Sequence, residues 1–181
     1  ATGCISNPSA SMTVIGKPVV NIVGSSTICI GTTTTLSPST GGTWTSSNSA
    51  VATINNSGVV TGVSPGTAIF YFTETSTGCI SQASSLVTVN LPPTVSLSGP
   101  STICVGFTTN VLPSTGGVWT SNNPTIATVT NSGIVTGISN GVVQLTYTSG
   151  NGCISTTPIL INVNGKPSIT LNGPSSICIG S

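Results

Sequence analysis

Residues 41–67 read GGTWTSSNSAVATINNSGVVTGVSPGT, and residues 116–142 read GGVWTSNNPTIATVTNSGIVTGISNGV. The two stretches align on Trp44 and Trp119, with a Gly-Gly pair before each Trp and a Ser-Gly pair near the middle of each stretch. A recurrence of this kind indicates tandem structural repeats, each of them one folded unit. The other residues are therefore interpreted by their place in the repeat.

The repeat extends in both directions from this stretch. Pro18, Pro93 and Pro167 begin equivalent segments, 75 and 74 residues apart. We predict two full repeats with parts of two others, and expect the chain to come from a longer polypeptide. The predicted boundaries are 1–17 for the last strand of a preceding repeat, 18–92 and 93–166 for two full repeats, and 167–181 for the first strand of a following repeat.

Only three of the 181 residues are charged, Lys17, Glu74 and Lys166, and the chain has no His, Arg or Asp. General acid–base catalysis requires titrating groups in a constellation that one Glu and two Lys do not supply. Calcium sites require several carboxylates, and nucleic-acid binding requires clustered cations. We therefore expect a non-enzymatic protein with no catalytic, cofactor-binding or metal-binding residues and no nucleic-acid partner.

Apolar runs are short throughout, because Ser, Thr, Gly or Pro interrupts them every few residues. None approaches the roughly 20 residues of a membrane-spanning helix, so no membrane span is expected. Residues 1–8 lack the basic start and apolar core of a signal peptide. The export signal and anchor are expected outside this stretch.

The apolar runs are rich in Val, Ile, Thr and aromatic residues, a composition that favours β-strands. Turn residues separate them at intervals of about 8–12 residues, which is typical of a small β-sandwich. We predict an all-β fold of tandem immunoglobulin-like β-sandwich domains arranged head to tail. The predicted strands of the first full repeat are 18–23 (A), 26–30 (A′), 32–37 (B), 43–46 (C), 50–54, 59–63, 67–73 (F) and a strand G that follows residue 79 and ends at residue 89. The second repeat is one residue shorter, and we place the deletion between Thr148 and Gly152, in the F–G turn.

Several short segments carry a family resemblance. WTSSN (44–48), VATI (51–54), SGVVTG (57–62) and PGTA (65–68) resemble the group 2 bacterial immunoglobulin-like domain. With the added STICIG (26–31) and TGCIS (77–81) elements, the array is similar to the tandem repeats of SprB-type surface adhesins of gliding bacteria. The resemblance implies an extracellular, cell-surface protein that is exported by a type 9 secretion system and serves in gliding motility or adhesion.

The six cysteines fall into two classes by their place in the repeat. Near the start of a repeat, each preceded by Ile, are Cys29, Cys104 and Cys178; near its end, each preceded by Gly, are Cys4, Cys79 and Cys153. Zinc sites require short paired spacings that are absent from this chain. Disulfides are expected instead, because an extracellular setting is oxidising.

Two disulfide patterns remain open. Within a domain, Cys29 would pair with Cys79 and Cys104 with Cys153. In an immunoglobulin-like topology, however, the A′–B and F–G turns lie at opposite poles, about 25 Å apart, whereas a disulfide requires Cα atoms within about 7 Å. Between domains, Cys29 would pair with Cys153 across a head-to-tail junction and remove its hinge freedom.

Trp44 and Trp119 are expected to be core anchors, as the Trp of a β-sandwich usually is. The alternative is that they are exposed platforms on which sugars stack. Glu74 has Ser149 at its equivalent position, so it is interpreted as a solvated loop carboxylate.

We expect the chain to be an extracellular structural or adhesive segment that forms an extended stalk or filament on the bacterial cell surface. Its expected partners are neighbouring repeats of the same chain and other copies of itself, because its neutral Ser/Thr surface lacks charge repulsion. A surface polysaccharide or another adhesion target is left open. The alternatives are a carbohydrate-binding module and a self-assembling filament subunit, in which an orphan strand around 12–15 and another around 169–178 complete each other between copies.

Overall fold

The computed structural model describes residues 11–170, 172 and 176. The chain forms two compact units, the first ending at Leu91 and the second beginning at Pro92. Within the described residues every regular element is a β-strand, with nine strands in the first unit and eight in the second. The predicted fold class, all-β and immunoglobulin-like, is confirmed.

The first unit is a β-sandwich. Its strands are β1 (Asn21–Ile22), β2 (Thr27–Cys29), β3 (Thr33–Ser37), β4 (Gly42–Ser46), β5 (Ala52–Ile54), β6 (Val59–Gly62), β7 (Gly66–Ala68), β8 (Phe70–Glu74) and β9 (Val87–Asn90). One sheet has the order β1-β3-β6-β5. The other consists of β2-β9-β7 and β4-β8, and Ile69 alone separates β7 from β8. All pairs are antiparallel except β2 with β9, which are parallel.

The second unit repeats this arrangement. Its strands are β10 (Ser96–Leu97), β11 (Thr102–Cys104), β12 (Thr108–Leu112), β13 (Gly117–Ser121), β14 (Ala127–Val129), β15 (Ile134–Gly137), β16 (Gly141–Ser149) and β17 (Ile159–Asn164). The sheets have the orders β10-β12-β15-β14 and β11-β17-β16-β13, and β11 is parallel to β17.

Alternating side chains build the core and the outer faces. In β3, Thr34 and Leu36 are buried while Thr33 and Thr35 are exposed, as the two-residue period of a strand requires. Leu36 belongs to the same buried cluster as Phe70 and Phe72 of the facing sheet. The buried half of each strand thus closes the sandwich, and the exposed Thr residues give the surface its neutral hydroxyl groups.

The predicted F strand, 67–73, is not a single element in the first unit. β7 pairs with β9 and β8 with β4, so the chain changes partner at Ile69. The ladder between β7 and β9 runs from Gly66 opposite Val89 to Ala68 opposite Val87, so it ends one residue before Ile69. In the second unit Gln144 pairs with Leu160 at this level, and β16 is continuous.

The predicted start of strand G after Cys79 is wrong, because β9 begins at Val87. The intervening segment bonds β8 through both backbone and side-chain groups. Ser81 and Ser84 donate their N–H groups to the carbonyls of Phe72 and Phe70 at 2.8 and 2.9 Å. Their Oγ atoms accept from the N–H groups of the same two residues, at 2.9 Å each. Serine hydroxyls therefore replace backbone carbonyls as acceptors.

Two smaller features concern strand A and the F–G turn. Strand A is shorter than the predicted 18–23, since only Asn21 and Ile22 pair with β3. The deletion between the repeats lies in the F–G turn, as predicted. Glu74 N–H bonds to Cys79 O in the first unit, whereas Ser149 N–H bonds to Cys153 O, one residue nearer, in the second.

The flanking segments are described only in part. Residues 11–20 contain no strand, and the side chains of Met12 and Val14 are exposed there. The predicted last strand of a preceding repeat therefore has no strand in its described portion, 11–17. Most of the predicted following strand, including Cys178, lies outside the described residues. Cys4, in the preceding segment, also lies outside them.

Candidate functional site

The charged side chains form no reactive cluster. Glu74 lies at the end of β8, where its Oε2 accepts a hydrogen bond of 2.6 Å from Thr77 Oγ1. The interpretation of Glu74 as a loop carboxylate is therefore wrong, because it ends a strand and closes the F–G turn. Across 11–170 and the two other described positions, no three His, Cys, Asp or Glu residues come together as a metal site.

Both Trp side chains are buried, with exposed fractions of 6% for Trp44 and 4% for Trp119. Trp44 Nε1 donates to Pro38 O at 3.0 Å, and its ring centroid lies 5.1 Å from that of Phe72. Trp119 makes the equivalent contacts with Pro113 O and Tyr147. Neither ring offers the open face that sugar stacking requires.

The two ends of each unit carry its cysteines. In the second unit, Cys104 lies opposite Asn164, at the end of the last strand. We call this end, formed by residues 104–107 and 164–166, the exit pole, because the chain leaves the unit there. In the first unit the exit pole is formed by residues 29–32 and 90–91, since Cys29 lies opposite Asn90.

The opposite end carries the other cysteine. In the second unit Ser96 of β10 pairs with Leu112 of β12, and the turn that follows β12 reaches Gly150, whose N–H bonds to Gly116 O at 2.8 Å. The chain therefore enters the unit beside the F–G turn that contains Cys153. We call this end, formed by residues 113–116 and 149–153, the entry pole. In the first unit it is formed by residues 38–41 and 74–79.

The length of β16 separates the two poles. Gly141 pairs with Val163, next to the exit pole, and Ser149 bonds to Cys153 at the entry pole. The eight residues between these levels correspond to about 26 Å at the rise of a β-strand. A disulfide between the two poles of one unit is therefore beyond reach.

The cysteines differ in their state. Cys29 and Cys153 are disulfide-bonded, whereas Cys79 and Cys104 carry free thiols. The intra-domain pairs, Cys29 with Cys79 and Cys104 with Cys153, are therefore absent from this structure. Among the four described cysteines, one of each class is bonded and one is free.

Sequence comparison places the chain in a family. Residues 11–78 and 88–157 match the family described as bacterial Ig-like domain (group 2). The chain belongs to this family. Two tandem group 2 bacterial Ig-like domains thus account for most of its length. No curated protein matches the sequence at a significant level.

Several solved structures are similar in fold to this pair of bacterial Ig-like domains. A C-terminal fragment of intimin, solved with the intimin-binding domain of its translocated receptor, is 17% identical with a TM-score of 0.45, and the match covers 86% of this chain and 65% of that one. The Escherichia coli adhesin FdeC is 16% identical with a TM-score of 0.38, covering 81% of this chain and 64% of that one. A Bacteroides ovatus glucan-utilisation protein, SGBP-B, solved with a mixed-linkage heptasaccharide, is 13% identical with a TM-score of 0.29, covering 83% of this chain and 46% of that one. The chain spans less than two thirds of each of these three chains.

The described residues contain no helix of the length and apolarity needed to cross a membrane.

Sequence reasoning overlooked Phe107. Its side chain is 65% exposed and lies three residues after the free thiol of Cys104. Its equivalent in the first unit is Thr32. Comparing the two repeats position by position would have identified it, because an aromatic residue replaces a hydroxyl at an exposed turn.

Proposed function

We propose that this chain is part of an extracellular, non-enzymatic stalk or filament on a bacterial surface, in which disulfide-coupled immunoglobulin-like repeats provide length and stiffness for adhesion. The observation that supports this proposal is the distribution of the cysteines. Each unit carries one at its exit pole and one at its entry pole, and the bonded ones are Cys29 at an exit pole and Cys153 at an entry pole.

Connectivity supports a head-to-tail arrangement. The chain leaves the first unit after Asn90 and starts β10 of the second at Ser96. Five residues, two of them Pro92 and Pro93, form the connection. A connection this short restricts how far the exit pole of one unit can move from the entry pole of the next.

We propose that Cys29 pairs with Cys153. Each is the cysteine at the pole that adjoins this connection, and a bond between them would link the units a second time. A second covalent link removes bending freedom from a two-domain junction, because it closes a loop through both units. The array would then resist bending and unfolding under load.

The neutral surface supports a mechanical rather than a catalytic role. Within the described residues the charged side chains are Lys17, Glu74 and Lys166. Thr-rich outer faces such as that of β3 keep the strand conformation without charge. Such a surface can also allow lateral association between copies. A surface polysaccharide is the adhesion target to test first.

Peptide mapping under non-reducing conditions tests the coupling. We expect a peptide in which Cys29 is joined to Cys153, and a Cys29–Cys79 peptide would contradict the proposal.

In small-angle X-ray scattering, the Cys29→Ser/Cys153→Ser variant should populate a broader range of end-to-end distances than the wild type. The matched control is Cys79→Ser/Cys104→Ser, which removes two free thiols and should leave the distribution unchanged. Equal distributions in both variants would refute the stiff junction.

The second candidate is a filament subunit completed by strand exchange between copies. The exposed, unpaired apolar side chains of Met12, Val14 and Ile169 favour it. It predicts concentration-dependent association in sedimentation velocity that Met12→Ser/Val14→Ser abolishes. A stalk segment coupled only along the chain would remain monomeric in both forms.

The finer assignment, to gliding-motility adhesins exported by a type 9 secretion system, rests on the STICIG and TGCIS elements. It predicts that protease added to intact cells of the native organism degrades the protein. Protection from protease until the cells are lysed would contradict the surface location.

A further inference from the structure

The exit pole of the second unit carries an unusual combination of groups. Cys104 is an exposed free thiol, and Phe107 projects into solvent beside it. A shallow depression of about 230 Å³ adjoins both residues. It is lined by Pro100, Thr102, Ile103, Cys104, Phe107 and Thr108.

The same pole of the first unit is more polar, and its cysteine is already bonded. There Thr32 folds back onto Cys29, with its Oγ1 accepting from Cys29 N–H and donating to Cys29 O, both at 2.9 Å. Cys29 is disulfide-bonded. At the equivalent position of the second unit, Phe107 replaces Thr32 and the thiol of Cys104 is free.

We infer that the exit pole of the second unit is a docking and coupling site for the entry pole of a following repeat, with Cys104 forming a disulfide to the cysteine of that repeat's Gly-Cys-Ile-Ser turn. This inference rests on the proposed head-to-tail coupling and extends it to a junction that the described residues do not contain. Residues 167–170 begin the next repeat of the sequence directly after this pole, as Pro167 corresponds to Pro18 and Pro93.

The entry pole of the first unit shows which groups a repeat can offer to the exit pole of the second unit. In the first unit, Cys79 of the F–G turn is a free thiol and the adjacent Ile80 is 55% exposed. An exposed Ile beside the thiol matches an apolar depression beside the partner thiol. The entry pole of the first unit is also complementary in charge, because Glu74 begins its F–G turn while Lys166 lies at the exit pole of the second unit, with its Nζ near Gly106.

The coupling reaction is a thiol–disulfide exchange. Two thiols lose two protons and two electrons to form one S–S bond, and a disulfide oxidant is reduced to two thiols. The oxidant is of the class of disulfide oxidoreductases or small-molecule disulfides, such as oxidised glutathione.

A second copy of the full chain is a suitable probe, because its first unit presents the same entry pole with Cys79. The test uses the Cys4→Ser/Cys178→Ser form, treated with oxidised glutathione and mapped by non-reducing digestion. We expect linear oligomers in which Cys104–Cys79 links exceed Cys104–Cys104 and Cys79–Cys79 links by about tenfold, since the contact is heterologous. Random pairing would form only about twice as many mixed links as either symmetric link, and that result would overturn the inference.

Phe107→Thr, which places the first unit's residue at this position, should slow the mixed coupling about tenfold, because it removes the apolar ring that would be buried at the contact. Val118→Thr is the control, since it removes an exposed apolar side chain from β13 instead. Equal rates for the two variants would overturn the docking role of Phe107. The same digests show whether Cys29 is joined to Cys153, so a failure of the proposed function is distinguished from a failure of this inference.

Discussion

At the scale of single residues, two glycines show why the turns carry the residues they do. Gly58 has φ of 76° and Gly31 has φ of 79°, a region that L-residues with side chains rarely adopt. Their surroundings differ. A Cβ on Gly58 would fall on the Leu36 carbonyl oxygen, whereas a Cβ on Gly31 would meet nothing within 4 Å. A side chain at Gly31 would therefore cost backbone strain alone, whereas a side chain at Gly58 would cost backbone strain and a steric clash.

We expect Gly31→Ala to lower the free energy of unfolding by about 1 kcal/mol, the cost of a left-handed backbone alone. Gly58→Ala should lower it by at least about 2 kcal/mol more, because β3 and the turn before β6 must move apart. Urea unfolding followed by Trp fluorescence measures both effects. Equal losses would show that the β3 backbone yields to the new methyl group.

At the scale of elements, the segment between the F–G turn and β9 is the least regular part of the first unit. It follows β8 through the hydroxyl groups of Ser81 and Ser84, which are both buried. The second unit retains this arrangement at Ser155, whose Oγ accepts from Tyr147 N–H at 3.1 Å. Ser84 has Pro158 at its equivalent position, and β17 begins directly after that proline. Where the ladder is interrupted, a serine hydroxyl thus takes the place of the backbone carbonyl acceptor that a continuous strand would supply.

Ser84→Ala should leave the N–H group of Phe70 buried without an acceptor, which costs about 1–3 kcal/mol of unfolding free energy. Hydrogen exchange of the Phe70 amide should accelerate accordingly. Ser85→Ala alters the exposed neighbouring side chain and serves as the control. If both variants have the stability of the wild type, Ser84 Oγ is not the acceptor on which this segment depends.

At the scale of the whole molecule, the scarcity of charged side chains determines how stability depends on salt and pH. The formal net charge is +1, and the sequence has no His. His is the only side chain whose unperturbed pKa places its charge change between about pH 5 and 8. Stability here rests on apolar burial and neutral hydrogen bonds, neither of which depends on long-range electrostatics.

We expect the free energy of unfolding to change by less than about 0.5 kcal/mol between 10 mM and 500 mM NaCl, since the chain has only three charged side chains to screen. It should be equally flat between about pH 5.5 and 7.5, because no His titrates there. Thermal unfolding across this grid measures both. A steep dependence on either variable would reveal an electrostatic contribution that the sequence does not provide.

The sequence by itself determined the fold class and the scarcity of charged side chains. The 74–75-residue recurrence, the two-residue alternation of strands such as β3 and the spacing of turns suffice to predict immunoglobulin-like sandwiches, because these are local patterns. They also led to the expectation that Trp44 and Trp119 are core residues, and both are buried. The near absence of charged side chains can be counted without any coordinates.

Only the tertiary structure decided that the chain changes partner at Ile69, and that Ser81 and Ser84 supply hydroxyl acceptors to β8. It also decided the state of the described cysteines: Cys29 and Cys153 are bonded, whereas Cys79 and Cys104 are free. The first two of these facts depend on which distant residues stand at the same level of a sheet. The side-chain pattern and the turns restrict the register of each strand, but which strand lies beside it is decided only when the sheets assemble.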